Sequence, residues 1–207
     1  MSESEVVRIG LLGCGNVGAA LVDLVNERAA AIAQRTGITL RVVKVAVRDT
    51  AKARNIDVPV VADVNAVVDD PNVDLVVEVM GGIEPARAAI TTALGKGKPV
   101  VTANKALLAE AGAELFHVAD VAGVDLLFEA AVAGGIPFIR PLRESLRGES
   151  IRRVMGIVNG TTNFILTKMT EEGADYKAVL AEAQKLGFAE ADPTADVEAF
   201  DAAAKCA

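Results

Sequence analysis

Ile9-Gly10-Leu11-Leu12-Gly13-Cys14-Gly15-Asn16-Val17-Gly18 decides the fold. An apolar run enters G-x-G-x-x-G, and a long helical stretch leaves it. Each glycine has its own physical task. Gly13 permits the tight turn, Gly15 lets backbone approach a pyrophosphate, and Gly18 lets the helix pack closely on the strand. The helix that opens at Asn16 and Val17 would aim its first N–H groups and its positive dipole end at the phosphates. A glycine triplet also arises by chance. Its context here, with a strand before, a helix after and a second apolar strand beyond, makes it a dinucleotide-binding fingerprint.

The 207 residues are 52% hydrophobic, enough for one full core and part of another. The net charge of −7, without a basic run, argues against nucleic acid as a partner. Aromatics are 3% with no Trp, so base-stacking platforms are not expected either. No uninterrupted apolar stretch reaches the roughly 18 residues of a membrane span. The N-terminal Met1-Ser2-Glu3-Ser4-Glu5 lacks the basic start and apolar core of a secretory signal. Cys14 lies inside the glycine loop and Cys206 far from it, which predicts reduced thiols and a cytoplasmic protein.

Strand-like runs at 6–12, 40–47, 74–79, 99–102 and 125–128 alternate with helical stretches at 16–34, 65–68, 85–94 and 105–121. That alternation predicts an α/β chain, with a Rossmann-type doubly wound parallel sheet and right-handed crossovers over residues 1–135. The pattern changes after Gly134-Gly135. Residues 136–207 predict a second, α+β domain: a helix at 137–146 that Pro141 should bend or break, a strand at 151–158, and helices at 161–169 and 176–186. Residues 200–207 read as the opening of a helix without a C-cap signal. The second domain is therefore expected to be incomplete, within a longer protein.

Ligands of open α/β sheets bind outside the carboxyl ends of the strands. That rule selects the glycine loop, Arg48-Asp49, Met80-Gly81-Gly82, Ala103-Asn104-Lys105 and the stretch 129–135. The end of the second strand reads the adenosine ribose, where an acid favours NAD and a cation the 2′-phosphate of NADP. Arg48 comes first there, so NADP(H) is favoured, with NAD(H) through Asp49 the alternative. A solvated mixed-charge loop with Lys52 and Arg54 is the plainer explanation. Asp49 also falls about thirty residues beyond Gly18, later than the usual spacing of about 20. Lys105 opens a helix, where its charge opposes the dipole. It is either a site residue or a surface lysine lying over apolar neighbours. The C-terminal stretch holds Glu190, Asp192, Asp196, Glu198, Asp201 and Lys205. Asp201 and Lys205 share a helix face, and an ordinary ion pair there contributes only about 0.3–0.5 kcal/mol. His117 has no partner at ligand spacing, and no zinc pattern, Ser-His-Asp set or P-loop is present.

Four blocks together resemble the homoserine dehydrogenase family: residues 10–18; Val100-Val101-Thr102-Ala103-Asn104-Lys105; the run 156–166 containing Asn159-Gly160-Thr161-Thr162-Asn163; and Leu186-Gly187-Phe188-Ala189-Glu190-Ala191-Asp192-Pro193 continuing to Asp201-Ala202-Ala203-Ala204-Lys205. The first is shared by many dehydrogenases, whereas the third and fourth are specific. The resemblance runs through the whole chain in order. It implies reversible NAD(P)H-dependent reduction of L-aspartate 4-semialdehyde to L-homoserine, on the route to threonine and methionine. It also implies Lys205 as catalytic lysine, Glu190 and Asp201 as substrate-binding acids, and Lys105 at cofactor and substrate. Gly187 would be a cofactor contact. Glu129, Val132, Gly134 and Ile136 would form a loop holding a structural sodium ion, largely by backbone oxygens. A homodimer through the second domain is expected of the full-length protein. Two other readings stay open: a dinucleotide-binding module without catalysis, and an oxidoreductase acting on another small carbonyl compound. The acid-rich block disfavours the latter, because it predicts an amino-acid substrate.

Overall fold

The computed structural model describes residues 5–207, in two compact units divided between Gly135 and Ile136. The first unit is built on strands β1 (Glu5–Leu12), β2 (Ile38–Ala46), β3 (Val60–Val61), β4 (Leu75–Glu78), β5 (Val100–Thr102) and β6 (Leu126–Leu127). They form one sheet of order β3-β2-β1-β4-β5-β6, with every pairing parallel. Helices α1 (Asn16–Thr36), α2 (Asn65–Val68), α3 (Glu84–Gly95) and α4 (Lys105–Ala122) make the crossovers. This is the doubly wound sheet that the alternation predicts.

A parallel sheet must be covered on both faces, so its strands are mainly apolar. Ile9 to Leu12 are all buried. Ile9 and Leu11 pack with Val22 and Val25 of α1 and with Val42 and Val45 of β2. Leu12 joins the opposite core, with Ala89, Ile90 and Leu94 of α3 and Leu107 and Leu115 of α4. The segment leading into β4 is tied by charge to β1 and β2. Arg8 holds Asp74 through Nε and Nη2 at 2.8 and 2.6 Å, and Lys44 pairs with Asp70. The carboxyl ends carry loops and helix N-termini instead. The pair at 60–61 is a strand that the sequence reading left within a loop; two residues are too few to show a periodicity.

The second unit contains α5 (Gly160–Glu171), α6 (Tyr176–Lys185), α7 (Thr194–Val197) and α8 (Phe200–Cys206). Asn159 caps α5 by accepting from the Thr162 N–H, and Asp175 caps α6 by accepting from those of Lys177 and Ala178. Two local expectations change here. The helix around Pro141 is a π-helical turn over Pro141–Ser145, with the Leu146 N–H bonded to the Pro141 carbonyl at 2.9 Å. Pro141 stands at the start of this turn, where its missing N–H breaks no helical bond, and no longer helix follows it. Residues 151–158 carry no regular secondary structure. Their β-branched pattern is real, but a strand exists only as one member of a pair, and the second unit shows no other strand among the described residues.

Candidate active site

The glycine loop has the geometry its three glycines require. Gly13 has φ +95°, and a Cβ there would lie 2.7 Å from the Val79 carbonyl oxygen. A Cβ on Gly18 would lie 2.3 Å from the Gly13 carbonyl oxygen, so only glycine lets α1 start this close to β1. Gly15 is different. A Cβ there would meet nothing within 4 Å, which leaves open space over the loop where backbone faces outward. Gly15 is also the N-cap of α1, with no side-chain cap, and Asn16 and Val17 are exposed beside it. An open helix N-terminus with unclaimed N–H groups is a place for a phosphate.

Beyond β2, Arg48 is exposed. Asp49, exposed as well, bonds its own loop: its Oδ1 accepts from the Ala51 and Lys52 N–H groups at 3.0 and 3.3 Å. Arg54 ties this loop to the glycine loop, donating to the carbonyls of Asp49 and Lys52 at 2.8 Å and of Cys14 at 3.4 Å.

A polar network that the sequence reading missed lies at the ends of β4 and β5. Glu78, fully buried, accepts from the Met80 and Gly81 N–H groups through Oε1 and from the Thr102 hydroxyl through Oε2. The Asn104 side chain caps α4 by accepting from the Leu107 N–H, and donates to the Gly82 carbonyl at 2.7 Å. Lys105 follows as the first residue of α4, half-buried. The one available signal was a charge inside the apolar run 74–79. Glu129, Val132 and Gly134 lie beyond β6, where Ala133 and Gly134 turn the chain with φ of 58° and 61°. Ile136, the fourth residue of the expected cation loop, is exposed in the second unit.

In the second unit, Lys205 and Asp201 sit one turn apart on α8 and pair at 2.6 Å, with side chains only 19% and 11% exposed. Lys205 Nζ also donates to the Val158 carbonyl at 2.6 Å. Asn159 donates to Asp201 at 2.8 Å and to Asp196 at 2.7 Å. The pair is therefore held from three directions, unlike a solvated ion pair on a helix surface. Asn159 and Asp196 were missed as site residues; the resemblance contained both, but only the fold brings them to Asp201. Glu190 is exposed and outside this set of hydrogen bonds, and Gly187 ends α6 with φ +80°. A hollow of about 280 Å³ is lined by Gly160, Thr161, Phe164 and Phe188. No group of three or more His, Cys, Asp or Glu arranged for a metal occurs among the described residues.

The homoserine dehydrogenase NAD binding domain family matches residues 13–129, and the homoserine dehydrogenase family matches residues 137–207. The homoserine dehydrogenase of Mycobacterium tuberculosis (strain ATCC 25618 / H37Rv) is 52% identical over 206 residues, 99% of this chain and 47% of that protein. That of Corynebacterium glutamicum is 54% identical over 205 residues, 98% of this chain and 46% of that protein. Among solved structures, a homoserine dehydrogenase from Thiobacillus denitrificans superposes with a TM-score of 0.90 at 49% identity, over 97% of this chain and 47% of the other. A hyperthermophilic archaeal homoserine dehydrogenase in complex with NADPH gives 0.82 at 32% identity, over 97% and 67%. The chain spans about half the length of the curated relatives it matches.

Proposed function

The chain belongs to the homoserine dehydrogenase family, and on that premise we propose that it carries the dinucleotide-binding part and the opening of the substrate-binding part of an enzyme that interconverts L-aspartate 4-semialdehyde and L-homoserine. The observation that carries this reading is the glycine loop: two glycines closed by contact, with open space at the third over an uncapped helix end. In the biosynthetic direction the product feeds threonine and methionine synthesis.

The pyrophosphate is assigned to Gly13, Gly15, Asn16, Val17 and Gly18. NADP(H) is favoured over NAD(H), because Arg48 is exposed for a 2′-phosphate while Asp49 spends Oδ1 on its own loop. The archaeal relative in complex with NADPH supports the same choice. When bound, the nicotinamide supplies the hydride. Negative charge then develops on the substrate's carbonyl oxygen, and a lysine ammonium stabilises it and delivers the proton. Lys205 is assigned that task. Asp201 and the Val158 carbonyl hold two of its three donors, which fixes Nζ in place. Lys105 is assigned to the nicotinamide end of the first unit. Glu190, exposed, and Asp201 suit the substrate's ammonium group, and Gly187 is assigned to the cofactor.

Carbonyl oxygens of the turn at 129–136 suit a hard monovalent cation such as Na⁺ in a structural role. Ile151, Val154, Met155 and Ile157 are exposed in the second unit, which supports self-association of the longer protein as a dimer. Both cysteines are free, as in a cytoplasmic protein, and no helix among the described residues is long and apolar enough to cross a membrane. No role for nucleic acid is proposed. The experiment is homoserine-dependent reduction of NADP⁺, followed by absorbance, with this chain and with a polypeptide extended to its relatives' length. Turnover in the extended polypeptide supports the enzyme reading. Tight NADPH binding with no turnover in either supports a non-catalytic binding module.

A further inference from the structure

Glu78 is the only charged residue among the fully buried side chains of the described residues. A carboxyl group inside an apolar sheet costs several kcal/mol unless hydrogen bonds replace water. Here three donors do so: the Met80 N–H at 2.8 Å, the Gly81 N–H at 3.3 Å and the Thr102 hydroxyl at 2.6 Å. The Thr102 oxygen accepts from the Asn104 N–H at 3.0 Å, which leaves its proton to point at Glu78. Asn104 then returns to the first loop by donating to the Gly82 carbonyl at 2.7 Å. The result is a closed ring of hydrogen bonds between loop 80–82 after β4 and loop 103–105 after β5.

The sheet does not need this ring. β4 and β5 already pair in register from Val76 with Val100 to Glu78 with Thr102. Buried polar groups of this kind are often no more stabilising than well-packed apolar ones. What the ring does determine is the course of two loops and the cap that precedes Lys105. Those loops lie on a particular side of the glycine loop. Strand order puts β2 and Arg48 on one side of β1, and β4 and β5 on the other. A dinucleotide with its pyrophosphate at Gly15 and its adenosine towards β2 must lay its second nucleoside over β4 and β5. Gly81 and Gly82, with φ of 70° and 77° and no neighbour within 4 Å of an added Cβ, leave backbone open there.

We propose that Glu78 and Thr102 are positioning residues for the dinucleotide, holding loops 80–82 and 103–105 as the platform for its nicotinamide half. This rests on the dinucleotide reading above. The test compares NADPH with 2′,5′-ADP, which carries only the adenosine half, in titrations of this chain. Glu78→Gln keeps volume but puts an NH₂ against the N–H donors, or against the Thr102 hydroxyl, whose own proton then loses its acceptor. Thr102→Val keeps shape and removes the hydroxyl, whereas Thr102→Ser restores it. Glu78→Gln and Thr102→Val should weaken NADPH tenfold or more and change 2′,5′-ADP by less than twofold. Thr102→Ser should stay within threefold of wild type for both. If a preference for NAD emerges, NADH and ADP give the same comparison.

Equal weakening of both ligands overturns the proposal, as does unchanged NADPH affinity in a variant with a lowered Tm. If Glu78→Gln does not fold, the Thr102 pair decides. If Thr102→Val does not fold either, the ring serves the fold alone and the proposal fails. A wild-type chain that binds neither ligand refutes the dinucleotide reading, and this inference with it.

Discussion

Gly15 and Gly18 stand three positions apart and predict different effects on stability. Gly18→Ala forces a methyl group to 2.3 Å from the Gly13 carbonyl oxygen, so helix and strand must part. Overpacking of that kind costs about 1–3 kcal/mol, and both Tm and NADPH binding should fall. Gly15→Ala meets no neighbour within 4 Å and should change stability by less than about 1 kcal/mol, the scale of a helix cap. It should still weaken NADPH tenfold or more, because the methyl group takes the space the pyrophosphate enters. Thermal melts alongside fluorescence titration separate the two. At the second strand end, Arg48→Ala should weaken NADPH about tenfold while NADH changes less than twofold, the scale of one charge-assisted hydrogen bond. Equal losses for both would assign Arg48 no part in choosing the cofactor. These expectations were open to the sequence because each rests on a residue's own backbone or charge. Glu78 and Asn159 were not. Thr102 lies 24 positions from Glu78, and Asp196 and Asp201 lie 37 and 42 from Asn159, and no local pattern records such a pairing.

Elements were legible where their period was long and their partners were present in the chain. β1, β2 and β4 read as apolar runs because helices cover both faces of the sheet. The run 151–158 shows the limit: its apolar residues, exposed up to 81% at Met155, read as a strand although pairing depends on residues elsewhere. Ahead of β4, charge fastens the elements. A hydrogen bond from Lys44 is the first cause that lowers the Asp70 pKa from 3.8 to about 2, helped by the Asn72 N–H. A depressed carboxylate pKa contributes stability that is present above 3.8 and lost as pH falls towards 2. Asp70→Asn should therefore lower Tm near neutral pH. Its difference from wild type should shrink as pH drops below 4 and vanish near 2. A difference that stays constant from pH 7 to pH 2 would mean that this pair does not supply the acid sensitivity.

At the scale of the whole molecule, the chain forms two compact units, and the proposed reading divides the chemistry between them. The first shows its purpose in sequence, because a dinucleotide fold announces itself in ten residues. The second does so only through the specific blocks at 156–166 and 186–205: its helices are ordinary, and its acids taken alone read equally well as a solvated face until the fold gathers Asn159, Asp196, Asp201 and Lys205. The central claim is that this cluster serves an amino-acid aldehyde while the first unit binds the dinucleotide. Lys205→Ala tests it most directly, in a polypeptide extended to its relatives' length, by homoserine-dependent NADP⁺ reduction beside NADPH titration. Loss of the ammonium should cut turnover roughly 10²- to 10⁴-fold and leave the NADPH Kd within twofold. Turnover within a few-fold of wild type would contradict the assignment of Lys205 and the reading of the cluster built on it.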